Sequence, residues 1–422
     1  MRNSTTFVLA GGKGQRLSPL TDSRAKPLLP FLGTRRLIDF TLFNCVRSGI
    51  LRPWALTSDD CIAVDLSVPA AWSASNKKLL ARMDGHRWVE GLKRPGYRGT
   101  ADAVRQNLFR ISPRARQVLV LSSDHVYTLD YRELLEHHRR KGALATVGTC
   151  QVDWSEASRF GILEVDDRGR VRDFHEKPRG AADLRVRAPK ASASMGIYVF
   201  DSDFLALTLK AVPGDDFGHD ILPALVESGG VYAFSAAAPN GGEAYWRDVG
   251  TIDAYWETQM ELLGRRAETC PPPGSVDGWN PAHWGGLDRL APRSDAREGR
   301  DLQPLVLGRV FRSVLSHGAL VCSGAEVRES VLLEGAKVGP GARLRRVIVD
   351  RGAVVPASAR IGYEREKDER RYAVSEGGVV IVTSQAVASP AVAARRHLLA
   401  GRPADALSLG RGMGGRPAGF PD

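Results

Sequence analysis

Between residue 6 and about residue 263, short apolar runs alternate with amphipathic stretches. A sheet covered by helices produces that alternation, so the pattern predicts an α/β domain. The clearest apolar runs are Phe7-Val8-Leu9-Ala10, Val118-Leu119-Val120-Leu121, Ala145-Thr146-Val147-Gly148-Thr149 and Ile197-Tyr198-Val199-Phe200, each read as a strand. Tyr131 to Lys141 follows the second of these runs as a helix. From 264 to 305 the composition shifts. Pro271-Pro272-Pro273-Gly274, Trp279, Trp284 and Gly285-Gly286 stand among many charges with little periodicity. This stretch reads as a connector whose tryptophans pack across the first domain.

A different period governs the residues from 306 onward. Gly318-Ala319, Gly324-Ala325, Gly335-Ala336, Gly341-Ala342, Gly352-Ala353 and Ser358-Ala359 are offset by 6, 11, 6, 11 and 6, a superperiod of 17. Val321, Val327, Leu333, Val338, Leu344, Val349, Val355 and Ile361 recur at matching intervals. One inward residue per short strand and a small residue at each turn is the pattern of a parallel β-helix. An irregular β-sandwich is the plainer alternative. His317, the one histidine of the repeat, is thin support for an acyltransferase site of the kind some solenoids carry. Beyond about 385 the chain is Ala, Gly, Pro and Arg with little periodicity, and a largely disordered tail is expected. The expected organisation is a catalytic domain at 1–263, a connector at 264–305, a β-helix at 306–384 and a tail at 385–422.

A chain of 422 residues agrees with about two domains. Its net charge of +11 is spread as arginine along the whole length, with no basic block interleaved with aromatics. Small anions such as nucleotides and sugar phosphates suit that distribution better than a nucleic acid does. No apolar run approaches the roughly 18 residues that span a bilayer, so no membrane partner is expected. Cys45, Cys61, Cys150, Cys270 and Cys322 are isolated and odd in number, which points to thiols in a reducing compartment with no disulfide framework or zinc site. Met1 to Ser4 leads straight into the first strand, so no signal peptide is expected and a cytoplasmic location follows.

The first strand ends in Gly11-Gly12-Lys13-Gly14-Gln15-Arg16. Glycines there leave backbone N–H groups open to an anion, and Lys13, Arg16 and Lys26 add positive charge. The loop has neither the Gly-Lys-Ser/Thr of a Walker A loop nor Gly-x-Gly-x-x-Gly, so a Rossmann dinucleotide site loses its main support. An ordinary glycine turn with solvated bases is the bland reading.

The stretch Leu9-Ala-Gly-Gly-Lys-Gly-Gln-Arg-Leu17, with Pro19-Leu20-Thr21 and Ala25-Lys26-Pro27, resembles the signature of sugar-nucleotide pyrophosphorylases. Five more stretches narrow the resemblance to the glucose-1-phosphate adenylyltransferase family: Tyr97 to Val104, Leu121 to Tyr127, Glu176-Lys177-Pro178, Ala193 to Phe200 and Tyr245 to Thr251. Tyr363 to Thr383 resembles the family's closing segment. The implied fold is a Rossmann-like nucleotidyltransferase domain followed by a left-handed parallel β-helix. The implied reaction joins ATP and glucose 1-phosphate, with pyrophosphate leaving, Mg2+ as cofactor and a homotetramer as the working form.

Residue by residue, the resemblance places Leu9, Ala10, Gly11, Gly12, Gly14, Gly99 and Thr100 at the nucleotide. Arg16 and Lys26 neutralise its phosphates, and Asp124 and Asp248 hold the metal. Tyr97, Gly161, Glu176, Lys177 and Ser194 meet the sugar phosphate. Several positions depart from the family's pattern. Gln15 stands in place of Thr, and Ser123 replaces Gly before Asp124, which could crowd the strand end. His86 to Lys93 replaces a Pro-Ala-Gln-Gln-Arg run that lines the nucleotide pocket, and Ser58-Asp59-Asp60 replaces Gln-Tyr-Gln. Thr34 occupies the place of an activator-binding lysine, although Arg35 and Arg36 remain for an anionic metabolite effector. Two rivals stand beside the adenylyltransferase reading: the same fold with another nucleotide, and a non-catalytic regulatory subunit.

Overall fold

A computed structural model describes residues 4–11, 14–33, 35–50, 52–58, 90–94, 96–179, 189–236, 244–264 and 303–384. Gly12, Lys13, Thr34, Asp59, Asp60, Cys61 and Cys270 lie outside the described residues, as do most of the connector and the expected tail.

The first six strands are β1 (Ser4–Leu9), β2 (Pro30–Phe31), β3 (Arg35–Arg36), β4 (Trp54–Ser58), β5 (Glu90–Arg94) and β6 (Gln117–Ser122). β7 (His125–Tyr127), β8 (Ala145–Val152), β9 (Gly161–Val165), β10 (Val171–Glu176), β11 (Ala191–Asp201), β12 (Val231–Ser235) and β13 (Trp246–Asp248) follow. The main sheet runs β10-β9-β11-β6-β1-β4-β5, with β8 and β12 beyond β11. β5, β4, β1 and β6 are parallel, and β11 runs antiparallel to β6. Phe7, Val8 and Val118 to Leu121 are fully buried, as continuous apolar runs must be when both faces of a sheet are covered.

Strand order reverses at β1. The chain moves outward to β4 and β5, then returns to lay β6 on the other side of β1. In open α/β sheets a crevice opens at that reversal, outside the carboxyl ends of the strands. The glycine loop after β1 and Asp124 after β6 both fall there. The helices are α1 (Leu37–Arg47), α2 (Thr100–Arg105), α3 (Tyr131–Lys141), α4 (Ser202–Ala211), α5 (Leu222–Ser228) and α6 (Ile252–Gly264). The helix expected after the second apolar run has the bounds read from the sequence. Asp130 caps its start by accepting from the Arg132 amide, and Gly142 closes it in the left-handed conformation.

Residues 305–382 wind into a parallel β-helix of three sheets. The register repeats every 17 residues: Val310 lies on Val327, Val327 on Leu344 and Leu344 on Ile361, while Val321 lies on Val338 and Val338 on Val355. Two of the three corners of each coil are the Gly-Ala positions, with Ser358 adopting φ 57 where glycine is missing. The third corner carries no Gly-Ala pair. Arg312, Glu329 and Arg346 turn it at φ 42, 45 and 54.

The β-helix docks on the α/β unit through a shared apolar cluster. Leu20, Leu29, Phe31, Tyr255 and Trp256 pack with Val331, Leu333, Ile348, Val379 and Ile381. Polar contacts fix the orientation. Trp256 Nε1 donates to the Glu329 carbonyl at 2.7 Å, Arg346 lies over the Trp256 ring at 4.3 Å, and the Asp253 carboxylate accepts from the Ser375 hydroxyl and the Gly377 amide. Arg24 meets Asp350 at 2.8 Å.

Candidate active site

Two short strands assemble the acidic centre. β7 and β13 pair antiparallel with Asp248 opposite His125, which puts Asp248 beside Asp124. Lys26 lies between the two carboxylates, 2.6 Å from Asp124 and 3.8 Å from Asp248. His125 Nε2 is 3.5 Å from Asp124 and 3.7 Å from Asp248. The other ring nitrogen, Nδ1, is 2.9 Å from the Met195 carbonyl. A carbonyl only accepts, so Nδ1 carries a proton and Nε2 is turned to the acidic centre.

Burial pushes the Asp124 carboxyl up, but the Lys26 ammonium, His125 and the Ser122 hydroxyl outweigh it and hold the group well below the usual carboxylate range. It is an anion at any pH at which a protein of this kind works. Two carboxylates that already draw an ammonium between them form a hard-oxygen donor set, which suits a divalent cation such as Mg2+.

The side expected to meet phosphate is built from the turn after β1. The Ala10 amide donates to the Leu56 carbonyl at 2.9 Å, and the Leu9 carbonyl accepts from Ser123 Oγ at 2.6 Å. Ser123 therefore staples two strand ends together, and the crowding expected at this position does not occur. Gly11 is exposed, and Gly14 adopts φ 58 with its carbonyl held by the Thr21 hydroxyl at 2.9 Å. A Cβ at Gly14 would lie 3.0 Å from Cβ of Lys26, so glycine lets the loop close on that lysine. The Arg16 guanidinium reaches the same place, 3.4 Å from where Gly250 would carry a Cβ, beside the Asp248 carboxylate.

The residues expected to meet the sugar lie across the sheet. The Glu176 carboxylate sits over Gly161, where an added Cβ would come within 2.9 Å of Oε2 and 2.4 Å of the Phe174 ring. Lys177 leaves β10 at φ 49, exposed, with Nζ 2.6 Å from Glu176. Ser194 ends the regular β8–β11 register, and its hydroxyl lies 3.5 Å from that of Tyr198. Gly99 and Thr100 open α2, whose Ala101 and Val104 share an apolar cluster with Phe7 of β1. The Thr100 hydroxyl donates to Asp216 and accepts from the Phe217 amide. Tyr97 is half-buried, with its hydroxyl accepting from Asn107 at 2.9 Å. Arg16, Lys26, Asp124 and Asp248 thus form one group, while Gly161, Glu176, Lys177 and Ser194 form a second. Gly99 and Thr100 meet the segment at 215–217, which leads to Gly218 beside Glu176 of the second group, and Tyr97 is held by Asn107.

Some neighbours were not picked out from the sequence. Trp246 packs edge-on between His125 and Phe160, at 5.2 and 5.1 Å, and its buried Nε1 has no partner among the described residues. Asp216 accepts from the Gly218 and His219 amides beside Glu176. The signal for Trp246 was available, since it stands two residues before Asp248 on a strand and so shares its face.

The nucleotidyl transferase family matches residues 5–265, and the GlmU-like C-terminal hexapeptide family matches residues 305–382. A glucose-1-phosphate adenylyltransferase 2 of Alkalilimnicola ehrlichii is 39% identical over 403 residues, covering 90% of this chain and 94% of its own. One of Vibrio parahaemolyticus is 39% identical over 407 residues, covering 90% and 98%. A glucose-1-phosphate adenylyltransferase of Shewanella sp. (strain ANA-3) is 38% identical over 411 residues, covering 92% and 96%. This chain belongs to the glucose-1-phosphate adenylyltransferase family. The two family matches cover both units of this chain and agree with a nucleotidyltransferase domain followed by a left-handed β-helix. Among the described residues no helix is long and apolar enough to cross a membrane.

Proposed function

We infer that the protein transfers AMP from ATP to glucose 1-phosphate, releasing pyrophosphate and forming ADP-glucose for glycogen or a related α-glucan. The observation that carries this reading is the meeting of Lys26, Asp124 and Asp248 at the strand-order reversal, opposite Glu176 and Lys177. Nucleotidyl transfer needs little covalent help. It needs in-line positioning and neutralised charge, and those groups supply both.

A phosphate oxygen of glucose 1-phosphate attacks the α-phosphorus, and the bond to the bridging oxygen of pyrophosphate breaks. The backbone of Gly11, Gly12 and Gly14, with Leu9 and Ala10, cradles the triphosphate. Arg16 and Lys26 neutralise charge as it builds on the leaving pyrophosphate. Asp124 and Asp248 would hold Mg2+, which supplies charge neutralisation on the phosphate oxygens. Lys177 binds the sugar phosphate, Glu176 and Ser194 accept from or donate to the hexose hydroxyls, and Gly161 leaves room for the ring. Tyr97, Gly99 and Thr100 complete the wall between the two substrates. Membership of the family also supports a homotetramer, an anionic metabolite effector, a cytoplasmic setting, and the division into 1–263, 264–305, 306–384 and a tail.

Asp124→Asn tests the reading. Turnover should fall by about 100-fold or more, the scale on which removing one fixed electrostatic group acts, while the far-UV spectrum stays unchanged. Near-normal turnover in the folded variant would remove Asp124 from the reaction.

A further inference from the structure

A second group of metal-type donors lies on the other face of the β9–β10 hairpin. Asp173 stands directly opposite Glu164, and His175 stands opposite Ile162 on the same face. His175 Nε2 is 3.2 Å from Glu164 and 3.4 Å from Asp173. Donor atoms of all three residues lie within 4.8 Å of one another.

Register makes this arrangement unusual. The pairing slips by one residue between Val171 and Asp173, so Val171 and Phe174 both bury in one apolar cluster although three positions apart. Without the slip, Arg172 would stand opposite Glu164 and form an ordinary ion pair across the strands. With it, an aspartate faces a glutamate, and like charges directly opposed on a sheet repel. Arg172 is engaged elsewhere, with Nε 2.9 Å from Asp166. Glu164 is only 7% exposed, so water does little to screen the repulsion. A bulge that turns away a cation and brings in a second anion re-aims side chains for a purpose other than hairpin stability.

We propose that Glu164, Asp173 and His175 bind a divalent transition cation of the zinc class. One imidazole nitrogen with two carboxylate oxygens is a borderline donor set, which such ions accept and Mg2+ does not favour. Three protein donors leave further positions for water, and the side chains of His175 and Asp173, 25% and 48% exposed, give the ion a path in. β10 continues from His175 directly into Glu176 and Lys177, so the ion stiffens the strand that carries the sugar-phosphate residues. The proposal does not depend on which nucleotide the enzyme uses.

The test is calorimetric titration of Zn2+ into chelator-stripped full-length protein in excess Mg2+, repeated with Co2+ while following its visible absorption. The variants are Glu164→Gln, Asp173→Asn and, as a control on the acidic centre, Asp248→Asn. One equivalent of Zn2+ should bind in the wild type and in Asp248→Asn. Its affinity should fall by more than about 100-fold in Glu164→Gln and Asp173→Asn, beyond what loss of an outer-shell partner costs. The exposed position of Asp173 keeps its variant folded if Glu164→Gln is not. Absence of a Zn2+ equivalent, or one that survives both hairpin substitutions and vanishes in Asp248→Asn, would overturn the proposal.

Discussion

Arg24 is the point at which the β-helix reaches the segment that carries Lys26, and removing it has a calculable effect. Its guanidinium lies 2.8 Å from Asp350 of the β-helix, with each side chain 14% exposed. Two residues later in the chain, Lys26 meets Asp124. Removing one partner of a fully buried ion pair costs about 3–5 kcal/mol; with this residual exposure about 2–3 kcal/mol is the appropriate figure. The pH dependence has a definite sign. Burial raises the Asp350 carboxyl above its ordinary value even with Arg24 beside it. The folded state therefore holds the Asp350 proton more tightly than the unfolded chain does. The stability this contributes is fully present below the unfolded pKa and is lost as pH rises through the folded one. Arg24→Ala raises the folded pKa further, so the variant should be weakest at pH 8 and approach the wild type in acid, where Asp350 is neutral.

The assay is urea unfolding of Arg24→Ala, Asp350→Asn and the double variant at pH 5 and pH 8, read as a double-mutant cycle. The double variant should lose less at pH 8 than the sum of the singles, because no buried charge is left unpaired. Turnover of Arg24→Ala should fall while both KM values stay within about twofold, as expected when positioning and not substrate binding is disturbed. A coupling below about 0.5 kcal/mol at pH 8, the scatter of independent sites, would refute the argument.

Two more expectations concern the residues proposed to meet the sugar. Lys177→Ala should raise the KM for glucose 1-phosphate by about 10- to 100-fold, the worth of one charged hydrogen bond, with little change for the nucleotide. Initial-rate kinetics at saturating co-substrate separates the two, and equal effects would place Lys177 elsewhere. Gly161→Ala should cost about 1–3 kcal/mol in thermal or urea unfolding through overpacking against buried Phe174. It should also weaken glucose 1-phosphate through the displaced Glu176; a stable variant with unchanged kinetics would contradict the contact.

Long periodic features were legible in the sequence. Tyr131 to Lys141 and the 17-residue repeat were visible because helix and solenoid periodicities extend over many residues. The third β-helix corner was not. Arg312, Glu329 and Arg346 take left-handed turns without the glycine that usually marks them, so stacking between coils imposes that conformation. The pairing of Asp124 with Asp248 depends on β7 and β13, each three residues long and too short to carry a pattern. Family likeness supplied that pairing, and β-strand register supplies its physical reason. Ser123 read as a departure from the family, yet its hydroxyl bonds the Leu9 carbonyl, a contact that no local pattern announces. The bulge that turns Asp173 toward Glu164 was equally hidden, since it shifts pairing by one residue without a glycine or proline at the site.

The most direct test of the central claim is pyrophosphate release by the full-length protein with Mg2+ and glucose 1-phosphate, comparing ATP, UTP, GTP and dTTP. The account predicts a clear preference for ATP, even though His86 to Lys93 stands where the family has its Gln-Gln-Arg run. Preference for another nucleotide, or no release with any of the four from folded protein, would contradict it.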